Sequence, residues 1–261
     1  MYNILMFTPQ DILEGMIEKK FYLMYQPIFL HDGVTLYGIE VLLRLKKNNT
    51  EIPPTLFINI AEDNEIISLL TLHLIDLITT DDIFLKSTLK LNLHINISPA
   101  SLLDKNVCST LVIMPSALPE NIRIVLEITE RIPITDITES IIQLKKFKEN
   151  GLLIALDDYG KGYSTDFRLN MLPVDYLKLD RNFYQYYVES SSAIDRVHLI
   201  CKFCDASNIK IIAEGIENKA QYRYLVSRNI GLFQGFYFSK PLNSSDIKTL
   251  ILHHIKNHHY R

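Results

Sequence analysis

The residues Leu152–Thr165 constrain this fold more than any others. Five apolar side chains run straight into two adjacent carboxylates, Asp157 and Asp158, and then into a loop carrying Gly160 and Gly162. The apolar run is too short for a helix and lacks a period of two, which predicts a strand buried on both faces, as in a helix-covered parallel sheet. Carboxylates at the end of such a strand are costly if dry and unpaired. A divalent cation would stabilise both, because hard cations take oxygen ligands. A solvated loop after the strand is the alternative.

Strand and helix signals alternate along the rest of the chain. Thr8-Pro9-Gln10-Asp11 predicts a helix start, with a capping Thr, Pro at the first helical position and an acid in the first turn. That helix runs to about Lys20. Phe21–Leu30 and Val34–Leu45 are strand-like, and His31-Asp32-Gly33 between them predicts a hairpin. Helices are expected over about Thr55–Asp63 and Glu65–Thr79, then a strand at Leu91–Ile97 and a short helix near Ser101. A strand at Ile122–Ile128 and a helix at about Ile137–Glu149, stopped by Gly151, lead into the strand Leu152–Leu156. Next come a strand at Asp175–Asp180, a helix over about Ser191–Ala206 and a strand at Ile209–Ala213. A helix over about Lys219–Arg228, capped by Asn218, then precedes a strand at Phe233–Phe238 and a last helix from Ser244.

A hairpin plus six strands in 261 residues is the size of a (β/α)8 barrel. An open doubly wound sheet should carry a Gly-rich phosphate turn after its first strand, and the sequence has none. The expectation is one α/β domain over residues 1–261, a TIM-like (β/α)8 barrel with one antiparallel strand at its start. Its core spans about residues 11–242, with no separate sensory domain.

Composition narrows the function classes. A formal net charge of -3 argues against a nucleic-acid partner. No apolar run approaches the roughly 18–20 residues of a membrane span, and the N-terminus lacks a basic signal-peptide region. Three cysteines cannot all pair within one chain, which points to a reducing, cytoplasmic compartment. Cys201 and Cys204 form a CxxC inside the apolar segment Val197–Cys204, expected as helix core rather than a redox pair. His253, His254, His258 and His259 fall on the last helix and are expected at a solvated face or core edge.

Polar groups interrupt the buried strands at about one per strand, near the C-terminal end: Glu40, Asn96, Glu127, Asp157, Lys178, Glu214 and Gln234. Catalytic groups of (β/α)8 barrels come from that rim. A lone buried Glu is more often a satisfied ion pair, but successive interruptions on successive strands read as a site. Glu40, Asn96, Glu127, Asp157 and Asp158 are all oxygen donors, which suits Mg²⁺ or Mn²⁺ and not a thiolate or imidazole zinc site. Two such ions, bridged by Asp157, could activate water for in-line phosphoryl displacement. Lys178 could orient that water or neutralise a phosphate; a counter-ion for Asp180 is the alternative. Arg44 could fork onto a phosphate or make a surface ion pair. Glu214 and Glu217 are candidates for general base or second-metal support.

These residues resemble the EAL domain, the bacterial cyclic di-GMP phosphodiesterase module, from about Asp11 to Leu242. Tyr25-Gln26-Pro27-Ile28 is similar to the family's opening strand, and Glu40-Val41-Leu42 stands at its signature, with Arg44 in the matching place. Asn96-Ile97-Ser98, Glu127-Ile128-Thr129-Glu130, Asp157-Asp158-Tyr159-Gly160, Lys178-Leu179-Asp180, Ala213-Glu214-Gly215-Ile216-Glu217 and Gln234-Gly235-Phe236 follow in order. The resemblance implies that Glu40, Asn96, Glu127, Asp157 and Asp158 hold two Mg²⁺ or Mn²⁺ ions. It implies that Lys178 and Glu214 assist the hydrolytic water and that Glu217 and Gln234 complete the site. Gln26, Arg44 and Asp180 would contact substrate, and Glu130 would brace the loop after Asp158. The implied reaction opens cyclic di-GMP to linear pGpG. The implied assembly is a homodimer, open to a regulatory protein partner. A non-catalytic module that binds cyclic di-GMP or a protein is the alternative. The chain departs from the family pattern at Val41 for Ala, Leu45 for Trp, Tyr159 for Phe and Lys161 for Thr.

Overall fold

A computed structural model describes residues 7–129, 136–160, 169–189 and 196–258. Helix α1 (Pro9–Ile17) leads into the antiparallel pair β1 (Phe21–Leu30) and β2 (Leu36–Lys47), followed by the short β3 (Thr50–Ile52). Helices α2 (Pro54–Asp63), α3 (Ile67–Thr79) and α4 (Asp82–Leu85) precede β4 (Leu91–Ile97). Then come α5 (Pro99–Leu103), α6 (Lys105–Ala117), β5 (Ile122–Thr129), α7 (Ile137–Glu149), β6 (Leu153–Tyr159) and β7 (Tyr176–Leu179). The chain continues through α8 (Arg181–Glu189), α9 (Arg196–Ala206), β8 (Lys210–Ala213), α10 (Lys219–Val226), β9 (Leu232–Phe233) and α11 (Ser244–His258).

The sheet order β1-β9-β8-β7-β6-β5-β4-β2 is closed by β1 pairing with β2, giving an eight-stranded barrel with β3 appended outside. Strand β1 runs antiparallel to both its neighbours, and the remaining barrel pairings are parallel. The antiparallel opening strand follows from the hairpin, where the Asp32 carboxylate accepts the Val34 and Thr35 amides at 2.9 and 2.8 Å. That turn uses Val34 and Thr35, so β2 starts at Leu36 rather than Val34.

Other differences from the sequence expectation are local. The last barrel strand is two residues long instead of six. A Cβ on Gly235 would lie 2.2 Å from the Ile216 carbonyl oxygen. The chain uses this close approach to turn away, with Phe238 N bonded to Gly235 O at 3.0 Å. Strand β6 runs on through Asp157 and Asp158. Helix α3 starts at Ile67 because Glu65 is left-handed, at φ 59°. Helices α6 and α8 fill spans that periodicity left unassigned. The expected helix at 191–206 is described from Arg196 onward.

Parallel strands buried on both faces explain the core. Side chains facing outward from the barrel pack beneath the helices; Leu93, Ile95, Leu126, Ile128, Ile154 and Leu156 are among them. Inside the barrel Ile28, Val125, Ala155, Tyr176, Ile212 and Leu232 form a separate apolar layer. A third cluster, with Phe7, Ile12, Phe21, Leu45, Ile52 and Phe57, fastens α1 and α2 to the hairpin. Leu45 is buried there at the family's usual Trp position. Cys201 and Cys204 are both buried on α9, and burial pushes the Cys204 thiol up to about 12, as expected of helix core. His254 is buried at the core edge, its ring nitrogens against the carbonyls of Leu250 and Val34. No helix among the described residues is long and apolar enough to cross a membrane.

Candidate active site

The interior apolar layer locates the polar residues above it. Side chains two apart on a strand share a face. Val125 is therefore followed by Glu127, Ala155 by Asp157, Tyr176 by Lys178, Ile212 by Glu214 and Leu232 by Gln234. Strand β1 runs the other way, so Gln26 lies two residues before Ile28 and pairs across β2 with Glu40. Asn96 stands in register with Glu127. One layer of the barrel is thus apolar, and the next layer toward the C-terminal mouth is polar on nearly every strand.

Lys178 is the centre of that layer, at 1% exposure. Its ammonium lies 2.6 Å from Glu127 Oε2, 2.8 Å from Glu214 Oε1, 3.4 Å from Asp157 Oδ1 and 3.5 Å from Glu40 Oε2. Glu40 also accepts from Asn96 Nδ2 at 2.8 Å and from Gln234 Nε2 at 2.7 Å. Glu127 Oε1 lies 2.8 Å from Nδ1 of His94, which is fully buried. The structure therefore gathers Glu40, Asn96, Glu127, Asp157, Lys178, Glu214 and Gln234. The counter-ions of Lys178 are four carboxylates of the barrel mouth. Asp180 instead accepts the Asn182 amide at 2.8 Å, at the start of α8.

Asp158 follows in the left-handed region at φ 59°, and its amide donates to Asp157 Oδ1 at 2.8 Å. The β6–β7 register breaks between Leu156 and Tyr159. An Asp tolerates this conformation better than most residues, and strained backbone of this kind collects at functional sites. Glu217 lies farther out, ion-paired with Arg181 and half exposed. Glu130 and Lys161 lie outside the described residues.

The electrostatics follow from burial and from the imbalance of charge. Burial alone would lower the Lys178 pKa, but Asp157, Glu127, Glu214 and Glu40 hold it well above the ordinary lysine range. Burial raises Glu127, and the Glu40 charge adds to the rise. Burial pushes Glu214 up to about 8 against the pull of Lys178. Burial raises Asp157 as well, with Glu40 and Asp158 adding their repulsion. Burial acts the same way on Glu40, yet Lys178, Gln234 and Asn96 outweigh it and hold Glu40 low. Burial drives His94 down to about 3, so its ring is neutral at the barrel centre.

This donor set fits a divalent cation chemically. Four carboxylates, Glu40, Glu127, Asp157 and Glu214, face one ammonium and Asp158 adjoins Asp157; ionised, the five leave excess negative charge that Lys178 alone does not neutralise. Gln234 Oε1 is buried with no hydrogen-bond partner among the described residues, which leaves one oxygen donor unused. The carboxylates close on Lys178, and no group of three or more His, Cys, Asp or Glu among the described residues surrounds a point a metal ion could fill.

Beside the charged layer lies a mostly apolar cavity of about 680 Å³. Leu42, Pro54, Ile58 and Leu74 line it, and Arg44, Glu62, Asn96 and Asp136 are among its polar groups. Arg44 is held by its own neighbour, Nη1 to Leu43 O at 2.9 Å, and by Glu51 at 3.7 Å. Its guanidinium is thus partly satisfied by a surface partner while still lining the cavity. The volume lies in the range of small-molecule sites, and a mostly apolar wall carrying polar groups matches their usual make-up.

His94 escaped the sequence reading. It lies two residues before Asn96 on the same face of β4, and the period of two, counted backward from Asn96, would have found it. Arg181 was missed as well, since its partner Glu217 is distant in sequence.

Known proteins resemble this chain in sequence and fold. The EAL domain family model matches residues 10–241. The probable cyclic di-GMP phosphodiesterase PdeN of Escherichia coli K12 is 33% identical over 242 residues, covering 91% of this chain and 46% of PdeN. The cyclic di-GMP phosphodiesterase PdeL of the same organism is 31% identical, covering 90% of this chain and 66% of PdeL. The chain thus spans less than half the length of PdeN. The solved structure of the PaMucR phosphodiesterase in complex with cyclic di-GMP superposes with a TM-score of 0.76 at 25% identity, covering 91% of this chain and 98% of that one. The EAL enzyme Bd1971 with cAMP and cyclic di-GMP bound gives a TM-score of 0.77 at 27% identity, covering 93% and 67%.

Proposed function

This chain belongs to the EAL domain family, and from that premise we propose that it is a metal-dependent phosphodiesterase opening cyclic di-GMP to linear pGpG. The observation that carries the reading is the ring of oxygen donors around Lys178 at the barrel mouth. Glu40, Asn96, Glu127, Asp157 and Asp158 would hold Mg²⁺ or Mn²⁺. Their carboxylates with Glu214, set against Lys178, leave four formal negative charges, which two divalent cations would balance. When bound, such ions activate water and hold the oxygens of an in-line displacement.

The chain's own side chains supply the rest. Hydrolysis adds water to phosphorus and breaks one P–O3′ ester bond, with a proton passing to the released 3′ oxygen. Lys178, kept charged by its carboxylate neighbours, offsets negative charge developing on the phosphoryl oxygens. Glu214, held 2.8 Å from the Lys178 ammonium at the barrel mouth, would take a proton from the attacking water. Arg44 and the apolar wall beside it would receive a phosphate and a base.

The test is pure protein incubated with cyclic di-GMP, with Mn²⁺ or with a chelator, and pGpG measured by chromatography. The expected result is pGpG formation that requires the metal. No pGpG above background in any metal would leave a non-catalytic binding module as the surviving reading.

A further inference from the structure

We propose that His94 is a positioning residue that fixes the plane of the Glu127 carboxylate from inside the barrel, so that Glu127 can receive a divalent cation. The inference deepens the metal-dependent reading above and rests on it.

Glu127 is the least exposed carboxylate of the site, at 1%. A glutamate there could turn its carboxylate about the terminal torsion, which is broad. Two contacts remove that freedom. Lys178 Nζ takes Oε2 at 2.6 Å, and His94 Nδ1 lies 2.8 Å from Oε1. Opposed donors on the two oxygens define the carboxylate plane, and each oxygen retains a lone pair for a cation. Lys178 alone would not define it, since its ammonium is shared among four carboxylates.

The His94 ring is itself fixed. It packs edge-on against Tyr176, with centroids 5.7 Å apart and planes at 65°. The Tyr176 hydroxyl is tied to the Tyr37 hydroxyl at 2.8 Å, across the barrel on β2. The Nε2 atom of His94 is buried with no hydrogen-bond partner among the described residues. Among the described residues Glu127 is therefore the only polar partner that holds the ring, and the chain keeps an imidazole where an apolar residue would match the layer of Val125, Ala155 and Ile212. Leaving a buried ring nitrogen unpaired has a cost. A donor aimed at Glu127 is the compensation that this geometry offers.

The test measures Mn²⁺ binding to the metal-free protein by titration calorimetry, with no substrate present. His94→Phe keeps a flat ring but removes the donor. His94→Asn puts an amide N–H close to the place of Nδ1. We expect His94→Phe to weaken Mn²⁺ binding about 10–100-fold, as loss of a group supporting a metal ligand does, and His94→Asn to restore most of it. Folding is checked by circular dichroism in chelator. Should His94→Phe not fold, His94→Leu replaces it as the donor-free variant. Wild-type affinity in the donor-free variant, or a folded His94→Asn that binds as weakly as the donor-free variant, overturns the positioning role alone. Absence of Mn²⁺ binding by the wild-type protein overturns it together with the metal reading.

Discussion

Glu40→Ala and Asp157→Ala each abolish turnover of cyclic di-GMP. Both carboxylates reach the Lys178 ammonium from separate strands of the barrel mouth, one from β2 and one from β6. Losing a group that only supports a metal ligand costs about 10–100-fold, so losing the ligand itself should cost more than about 100-fold. Glu40→Ala has a second effect, because it leaves the amides of Asn96 and Gln234 without the carboxylate that organises them. Asp157→Ala leaves those bonds in place. Both variants should nonetheless fail, because each removes an oxygen that the proposed function assigns to the metal. The check is the initial rate of pGpG formation at saturating Mn²⁺. More than about a tenth of the wild-type rate in either variant would contradict the two-metal assignment.

Lys178→Met unfolds at a much lower temperature than the wild type when metal is chelated, and added Mn²⁺ recovers part of the difference. Lys178 is 1% exposed and is the only cation among the described residues in direct contact with these four carboxylates. Methionine preserves much of the stem but leaves those charges facing one another. Breaking a buried pair by removing one partner costs about 3–5 kcal/mol.

Proton uptake limits the loss, and the sign of its pH dependence follows. Carboxyls crowded without Lys178 have folded pKa values raised above the unfolded value of about 4.3. They favour the fold at low pH, and that contribution disappears as pH rises through the folded pKa, so the deficit widens from acid toward neutral pH. A cation that binds only the folded state restores stability by mass action. Cyclic di-GMP binding should survive, while the maximal rate falls even in saturating metal. The checks are thermal unfolding across pH with chelator or Mn²⁺, and binding and turnover measured separately. An unchanged midpoint in chelator, or lost binding with an unchanged maximal rate, would contradict this role.

The barrel was legible because its signals are local. Leu152–Leu156 announces a strand buried on both faces, and Asp32-Gly33 announces the hairpin that makes β1 antiparallel. The polar layer was legible because a single Glu, Asp or Lys stands out in each apolar run. What escaped depended on contacts between distant residues. Phe233–Phe238 looks like one strand until Gly235 meets the Ile216 backbone, a packing fact that no local pattern carries. Lys178 has the spacing of a partner for Asp180, but the barrel brings it carboxylates from β2, β5, β6 and the end of β8. His94 was hidden because one ring among Leu91–Ile97 reads as core. The neighbouring strand β5 sets Glu127 beside it, and only the curvature of the barrel adds Tyr176.

The most direct measurement of the central claim is anomalous scattering from a crystal of this chain grown with Mn²⁺. The account predicts manganese peaks at the barrel mouth, within ligand distance of Glu40, Asn96, Glu127 and Asp157, with the carboxylates drawn away from Lys178 toward the ions. A map without manganese there, the same side chains still closed on the Lys178 ammonium, would contradict it.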